Sequence, residues 1–456
     1  MTLKEAVEAR QAALLESLRE SVRIPSVQGP ASEGCPYGQG VRRCLDHALE
    51  TAEKLGLTCV DMDHQMGWCE YGDGPEMIAV LGHLDVVPEG EGWSFDPFGG
   101  EIRDGKIFGR GTMDDKGPTM AALYALAAIR DTGLPLRRRI RLLLGTNEET
   151  GSQDMKYYRA HGGELPVMGF TPDGEYPVIN GEKGIVNVTY HKDYAQTGDV
   201  RLTRLSGGSA PNVVPAAARA EIACPAELAA RLASESTETV VWTPRPGGTV
   251  LEVRGVSAHG STPELGENAI GRMMQALAAL PLRGGAAEAV RFLAEKIGME
   301  TSGESLGIAL RDDISGSLTL NLGTVEGDET GLTVRINYRY PVTKRLEDCE
   351  PILRRAFGEA GFALAEQIHK ASLYVPADSE LVRTLLEVYA RETGLPAAPK
   401  SIGGGTYAKS MPNIVAFGPI FPGDEVREHK PDEFIEIDKL MRNAQIIAEA
   451  MYQLAK

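Results

Sequence analysis

The chain has 456 residues, of which 42% are hydrophobic and 24% charged, a composition typical of a soluble globular protein with two or three domains. Its formal net charge of −17 argues against a nucleic-acid partner and against an anionic membrane surface, since both need a basic face. No apolar stretch approaches membrane-spanning length, and the six cysteines include no CxxC pair. The sequence therefore predicts a cytoplasmic protein without a disulfide scaffold.

The N-terminal half alternates helical and apolar segments. Residues 1–27 predict an amphipathic helix that lacks the apolar centre of a signal peptide. Buried strands are predicted at 77–87 and 137–146, with a helix at 116–133 between them. Nearly continuous apolar strands in a strand–helix–strand order indicate an α/β layer with a largely parallel sheet. Ligands of such sheets bind beyond the carboxyl ends of the strands, so the polar residues that follow each apolar run are the candidate site.

From about residue 185 the pattern changes to short alternating segments, which are typical of antiparallel strands. Helices are predicted within this region around 264–280 and 286–297. The α/β pattern returns with a helix at 379–394, a strand at 413–421 and a closing helix from about residue 436.

These patterns predict an α/β catalytic domain interrupted by an insert. The catalytic domain comprises residues 1–184 and 376–456 and has a mostly parallel sheet flanked by helices. Residues 185–375 form an inserted α+β lid domain, for which a division into two subdomains remains open.

Two motifs place polar side chains at the first strand end and before the following helix. "GHLDVVP" carries His83 and Asp85 on one strand face, so that Asp85 can accept a hydrogen bond from the ring while its other nitrogen binds a metal. "GRGTMDDKGP" carries Asp114 and Asp115, which can be helix-capping carboxylates or metal ligands. Alone, the first motif fits a structural histidine and the second fits a helix cap.

The segment "LLLGTNEETGS", residues 142–152, places Glu148 and Glu149 side by side at the end of a buried strand. Each carboxylate makes the other harder to ionise, but a bound dication would offset this repulsion. One glutamate can then ligate while the other accepts a proton. A solvated loop is the alternative. Asp173 in "FTPDGEYPVINGEKG" and His429 in "REHKPDEFI" are individually non-specific, as a turn aspartate and an exposed histidine.

In combination and in this order, the motifs resemble those of the M20 family of metallopeptidases and deacylases over nearly the whole chain. "GHLDVVPEGEGWSFDPFGGEIRDGKIFGRGTMDDKGP" and "TNEETGS" are similar to the metal-site signature of that family. "GVSAHGSTPELGENAI", "INYRYPV" and "SIGGGTYAKSMPNIVAFGP" are similar to the bacterial dipeptidases of the PepV type. The resemblance implies a two-zinc hydrolase with a zinc-peptidase-like catalytic domain and an inserted lid.

The resemblance also implies a role for each residue at the strand ends. Asp114 would bridge two metal ions, Glu148 would be the general base, and Asp85 would orient His83. The first ion would be completed by a histidine and an aspartate, and the second by a glutamate and a histidine. The metal ligands implied in this way are His83, Asp114, Glu149, Asp173 and His429. Two divalent ions would nearly balance three ligand carboxylates and a bridging hydroxide.

Further residues are implied as substrate contacts. His259 in "SAHGS" would donate to the oxyanion of the transition state, a catalytic role. Arg339 in "YRYP" would bind the terminal carboxylate of the substrate, and Asn212 in "PNVVP" would also contact it. From the residues alone, a turn histidine, a strand-edge arginine and a turn asparagine are the alternatives. The pocket-lining loop comprises Gly403, Gly404, Gly405 and Thr406, and it lacks the lysine of a nucleotide-binding Walker loop.

The predicted function is hydrolysis of the peptide bond of dipeptides by metal-activated water, with a glutamate as general base. The alternatives are an M20 deacylase or aminoacylase acting on N-acyl amino acids, and a metal-retaining binding protein on the same scaffold. Zinc is the expected metal, with manganese or cobalt as alternatives. The expected partner is a small peptide, with neither nucleic acid nor membrane. We expect a monomer whose long insert supplies His259 to its own site; a homodimer is the alternative.

Overall fold

The computed structural model describes residues 1 to 456, which divide into two units. The first unit contains Met1–Asn180, Val375–Lys400 and Thr406–Lys456, and the second contains Gly181–Tyr374 and Ser401–Gly405. None of the helices is both long enough and apolar enough to pass through a lipid bilayer.

The helices are numbered in chain order. They are α1 (Leu3–Glu8), α2 (Gln11–Val22), α3 (Gln39–Lys54), α4 (Lys116–Thr132), α5 (Gln153–Ala160), α6 (Ala226–Ser234), α7 (Ala269–Ala278), α8 (Gly285–Lys296), α9 (Glu350–Glu359), α10 (Glu380–Thr393) and α11 (Ile437–Ala455). Short 3₁₀ turns lie at Pro263–Leu265, Leu346–Asp348 and Tyr407–Ser410.

The strands are numbered in the same way. Those of the N-terminal part are β1 (Thr58–Met62), β2 (Met66–Tyr71), β3 (Met77–His83), β4 (Glu101–Arg103), β5 (Lys106–Phe108), β6 (Arg139–Gly145), β7 (Met168–Thr171), β8 (Gly174–Glu175) and β9 (Val178–Glu182). Those of the second unit are β10 (Gly184–Asp193), β11 (Arg201–Gly207), β12 (Ala217–Ala223), β13 (Val240–Arg245), β14 (Gly248–Arg254), β15 (Arg311–Asp312), β16 (Gly316–Ser317), β17 (Thr319–Asp328), β18 (Gly331–Tyr340), β19 (Ala363–Lys370) and β20 (Leu373–Tyr374). The C-terminal strands are β21 (Pro399–Ile402), β22 (Ile414–Ala416), β23 (Pro419–Ile420) and β24 (Phe434–Glu436).

The main sheet of the first unit has a parallel centre. Its strands lie in the order β1-β2-β6-β3-β7-β22-β9. Strand β3 runs parallel to both β6 and β7, and β22 runs parallel to β7, whereas β1, β2 and β9 pair in antiparallel fashion. Every residue of β3 is buried, which explains its unbroken apolar pattern.

Helix α4 is the central helix of this unit. Its residues Lys116 to Ile129 are all buried, and α1, α2 and α11 contact it. A helix apolar on all sides needs neighbours on all sides, and these helices together with strands β2, β3 and β6 provide them. It ends at Gly133, whose φ of 62° is the left-handed conformation that glycine adopts without strain at a helix end. The predicted helix at 116–133 therefore agrees with the structure.

The N-terminal prediction is wrong in one respect, because residues 1–27 form two helices instead of one. Helix α1 begins at a capping box formed by Thr2 and Glu5 and ends before Ala9. Helix α1 contacts α4 and α11, whereas α2 contacts α3 and α4. The two segments share α4 but differ in their second neighbour, so tertiary contacts determine the break.

The second unit contains an eight-stranded antiparallel sheet in the order β13-β14-β12-β11-β17-β18-β10-β19. Helix α7 packs on β12, β14 and β17 and also contacts α8. The side chain of Asn268 accepts a hydrogen bond from the Gly271 N–H and so begins α7 five residues later than the predicted 264. The predicted fold class, an α/β domain interrupted by an α+β insert, is confirmed.

Candidate active site

Neighbouring strands of the first unit place the predicted ligands at one edge of the sheet. His83 is the last residue of β3, Glu148 and Glu149 follow β6, and Asp173 follows β7. These three strands are adjacent and parallel, so their carboxyl ends meet at the same edge.

Asp114 is the central carboxylate of the cluster. Its Oδ1 lies 3.0 Å from Nε2 of His83, and its Oδ2 lies 2.9 Å from Nε2 of His429. The same His429 nitrogen is 3.2 Å from Oε1 of Glu149. The possible ligand atoms form two sets, and within each set all atoms lie within 4.8 Å of one another. One set comes from His83, Asp114 and Asp173, and the other from Asp114, Glu149 and His429. Asp114 is the one residue that belongs to both sets.

The orientation of His83 suits a metal ligand. Its Nδ1 makes a 3.0 Å hydrogen bond with the main-chain carbonyl oxygen of Asp85, which leaves Nε2 as the ligating nitrogen. Nε2 is buried and faces Asp114, yet it makes no hydrogen bond of acceptable geometry. Donors bound to zinc at about 2.0–2.2 Å in a tetrahedron lie about 3.3–3.6 Å apart, close to the separations around Asp114. Imidazole and carboxylate donors at this spacing could hold a divalent cation.

The electrostatics show carboxylates crowded without enough positive charge. Burial raises the pKa of Asp173 to about 7, and the charge of Asp114 adds to the rise. Burial likewise raises the pKa of Glu148 well above its usual range, with Asp173 as the next cause. Hydrogen bonds to Asp114 and Glu149 raise the pKa of His429 to about 11. The cluster thus retains protons, and cations would compensate the same charge.

The structure corrects the predicted role of Asp85. Its carboxylate was expected to accept a hydrogen bond from His83, but its Oδ1 lies 3.6 Å from Nδ1, and the main-chain carbonyl accepts that bond instead. The two carboxylate oxygens accept hydrogen bonds from the backbone N–H groups of Glu148 and Glu149, each at 3.1 Å. The Asp85 carboxylate thus still lies beside the imidazole ring, but its hydrogen bonds are made to the loop after β6. Asp85 positions both glutamates.

Asp115 has a structural task. Its Oδ2 accepts hydrogen bonds from the backbone N–H of His83 at 3.1 Å and from the hydroxyl of Thr119 at 3.0 Å. The side chain makes no capping hydrogen bond to the first turn of α4. Asp115 therefore holds the end of β3 against the helix.

Two residues next to the cluster, Tyr407 and Asp154, were singled out by no motif. The buried Tyr407 hydroxyl donates to Oδ2 of Asp154 at 2.6 Å, and the Tyr407 backbone N–H donates to Oδ2 of Asp173 at 3.3 Å. Asp154 also accepts from the backbone N–H of Thr146, just before the two glutamates. The sequence feature that could have indicated Tyr407 is its position directly after Thr406 in the predicted loop. The side chain of Thr406 accepts a hydrogen bond from the Ala408 N–H.

Arg339 is one of the predicted substrate contacts that lie in the second unit. It is only 3% exposed on the interior strand β18, so the strand-edge alternative does not apply. Its Nη1 donates to the carbonyl of Gly403 at 2.7 Å, and its Nε donates to Oδ1 of Asn337 at 3.1 Å. Burial lowers the Arg339 pKa to about 10, which leaves the guanidinium charged at neutral pH.

His259 and Asn212 lie in the same part of the second unit. Nδ1 of His259 is 2.6 Å from the hydroxyl oxygen of Ser261, and the Gly260 N–H donates to the Asn212 carbonyl at 2.7 Å. A Cβ atom added to Gly403 would lie 2.8 Å from Cβ of Ser261, so the glycine permits this close approach. Burial, and then the charge of Arg339, lower the pKa of His259 and favour its neutral form.

Residues 79–453 match the model of the peptidase family M20/M25/M40. The chain belongs to this family. The resemblance noted from the motifs is thereby confirmed.

Curated relatives match over almost their whole length. A protein of Bacillus subtilis (strain 168) named "Putative dipeptidase YtjP" is 40% identical, over 97% of this chain and 97% of that protein. A "Putative dipeptidase" of Staphylococcus epidermidis is 33% identical over 99% of both chains. The solved structure of the aminoacylhistidine dipeptidase from Vibrio alginolyticus aligns with a TM-score of 0.59 over 97% of both chains. That structure is 14% identical to this chain, so this likeness concerns the fold.

Proposed function

We propose that this member of the M20 family is a metal-dependent dipeptidase. The observation that carries the proposal is the position of Asp114, whose two oxygens face two histidines while further carboxylates surround it. The names of the full-length relatives support dipeptides as the substrate class.

His83, Asp114 and Asp173 would hold one divalent cation, and Asp114, Glu149 and His429 would hold a second. We propose zinc, with manganese and cobalt as the alternatives. When bound, such ions supply Lewis acidity toward the scissile carbonyl and lower the pKa of water.

Glu148 is the proposed general base. It is not a member of either donor set, so its carboxylate is available for a proton. It takes the proton of the attacking water and returns it to the leaving amine. Asp85 contributes by holding the backbone N–H groups of Glu148 and Glu149, which directs the two side chains to different tasks.

The second unit supplies the proposed substrate contacts. A dipeptide ends in a carboxylate, for which the charged, buried guanidinium of Arg339 is suited. Asn212 is proposed as a further contact, and neutral His259 as a donor to the oxyanion of the transition state. The loop of Gly403, Gly404, Gly405 and Thr406 is the proposed pocket lining.

A substrate pair tests the proposal. Metal-free protein reconstituted with zinc, manganese or cobalt is assayed on alanylalanine and on N-acetylalanine, which share the alanine leaving group but carry an alanyl group with a free amine or an acetyl group without one. We expect hydrolysis of the dipeptide. Hydrolysis of N-acetylalanine alone would favour the deacylase, and metal binding without turnover of either would favour a binding protein.

Glu148→Gln tests the base. The substitution keeps the size of the side chain and the backbone hydrogen bond to Asp85 but removes the proton acceptor. We expect kcat to fall by about 10²–10⁴-fold with zinc content unchanged. Glu91→Gln, on the exposed loop after β3, is the matched control and should behave as the wild type. Undiminished turnover by Glu148→Gln would show that another group is the base.

A further inference from the structure

A buried ion pair outside the predicted ligand set lies next to the cluster. Arg110 and Glu433 are 1% and 0% exposed, and Nη1 of Arg110 is 2.6 Å from Oε2 of Glu433. Neither residue belongs to a donor set around Asp114. Their hydrogen bonds nevertheless end on the segments that carry the proposed ligands.

Glu433 holds the segment of Asp114. Its Oε1 accepts hydrogen bonds from the backbone N–H groups of Met113 at 2.8 Å and Asp114 at 3.2 Å. Its main-chain carbonyl accepts from the Gly109 N–H at 2.9 Å. Glu433 lies four residues after His429, so one side chain connects the two loops that place Asp114 and His429 against each other.

Arg110 connects two further segments. Its Nη1 donates to the carbonyl of Lys430, the residue after His429, at 3.3 Å. Its Nη2 donates to the carbonyl of Glu89 at 3.2 Å, on the loop that follows β3. The guanidinium also lies 5.2 Å from the ring centroid of Trp93 on that loop. The planar fork of an arginine is needed to reach these acceptors and Glu433 together.

Stability alone does not explain a pair placed in this way. A buried ion pair seldom adds net stability over apolar side chains of similar volume, because desolvation offsets the attraction. What apolar side chains cannot supply is the set of directed hydrogen bonds to Asp114, Lys430 and Glu89. Supporting partners of this kind tune metal affinity because they fix the orientation of the ligands.

We propose that Arg110 and Glu433 are positioning residues that fix the separation of Asp114 and His429. This inference rests on the proposed metal site. It adds the side chains that hold the loops of Asp114 and His429 in place. It assigns neither residue a contact with the substrate or with a metal ion.

The test measures zinc affinity of the metal-free protein by competition with a chelator, together with thermal unfolding and steady-state kinetics. We expect Glu433→Gln to weaken zinc binding by about 10–100-fold and to lower kcat while KM stays close to that of the wild type. Arg110→Lys keeps the charge but not the fork, so we expect an intermediate effect. Arg141→Met is the matched control. Nη2 of Arg141 lies 2.7 Å from Oε2 of Glu70, and this similar pair is remote from the cluster. It should lower the melting temperature without changing zinc affinity.

The double variant Arg110→Met/Glu433→Met is the control for misfolding of the single variants. It removes both charges together and leaves no unpaired buried charge. We expect it to fold and to bind zinc as weakly as Glu433→Gln. Wild-type zinc affinity in the folded double variant would overturn the positioning role and leave the proposed function intact. A wild-type chain that binds no divalent cation would overturn the proposed function, and the positioning role with it.

Discussion

Asp173→Asn should make the metal-free protein more stable although it removes a proposed ligand. Burial, together with the charge of Asp114, raises the pKa of Asp173 from 3.8 to about 7. The folded protein therefore favours the neutral carboxyl. Stability from this group is fully present below the unfolded pKa and is lost as the pH rises through about 7. Asparagine stays neutral and avoids this loss.

The size of the effect follows from the same two pKa values. At about 1.4 kcal/mol per pH unit, burying Asp173 costs the metal-free protein about 1.5 kcal/mol at pH 5, where the carboxyl must keep its proton, and about 4 kcal/mol at pH 8, where it is ionised. Asp173→Asn should therefore stabilise the metal-free protein by up to these amounts. Zinc at about 1,000 times its Kd adds about 4 kcal/mol to a protein that retains its ligands, so it should offset this gain at pH 8 and reverse the order at pH 5.

Chemical denaturation of metal-free and zinc-loaded protein at pH 5 and pH 8 measures this reversal. Asp154→Asn is the matched control. Asp154 is also a buried carboxylate, but its oxygens accept from Thr146, Asn147, Met155 and Tyr407. Replacing one oxygen by an amide group leaves a donor unpaired, so this variant should be destabilised with or without zinc.

A metal-free Asp173→Asn protein that is less stable than the wild type at pH 8 would refute the reasoning. So would a gain that does not change between pH 5 and pH 8. Either result would mean that the carboxylates are not crowded in the way the geometry indicates, and the case for compensating cations would be weakened.

Three further outcomes are expected. Zinc binding at pH 7 should release protons, because the pKa values of about 11 for His429 and about 7 for Asp173 leave His429 protonated and Asp173 about half protonated without metal. Apparent affinity should therefore rise from pH 6 to pH 8, and calorimetric heats should depend on the buffer. Arg339→Lys should raise KM for a dipeptide by about 10–100-fold with little change in kcat, because an ammonium cannot bind a carboxylate through two parallel hydrogen bonds; an unchanged KM would exclude the proposed contact. Tyr407→Phe should lower the free energy of unfolding by about 1–3 kcal/mol, since buried Asp154 loses a donor, and thermal unfolding would measure it.

The local features of the sequence determined much of the first unit. The apolar run before His83 could be buried only in a central strand, and the all-round apolar pattern of α4 required neighbours on every side. Polar residues at the ends of parallel strands lie at one edge by geometry, so the grouping of His83, Glu149 and Asp173 could be predicted. Their action as metal ligands remains a prediction.

Other features depended on contacts between segments far apart in the chain. The break between α1 and α2 follows from packing on partly different neighbours, and the Asp85 carboxylate meets two backbone N–H groups of the loop after β6. The Arg110–Glu433 pair joins positions more than three hundred residues apart. The sequence pattern determines which residues follow a strand or cap a helix. Only the folded chain decides which donor meets which acceptor, because a hydrogen bond requires both its distance and its direction.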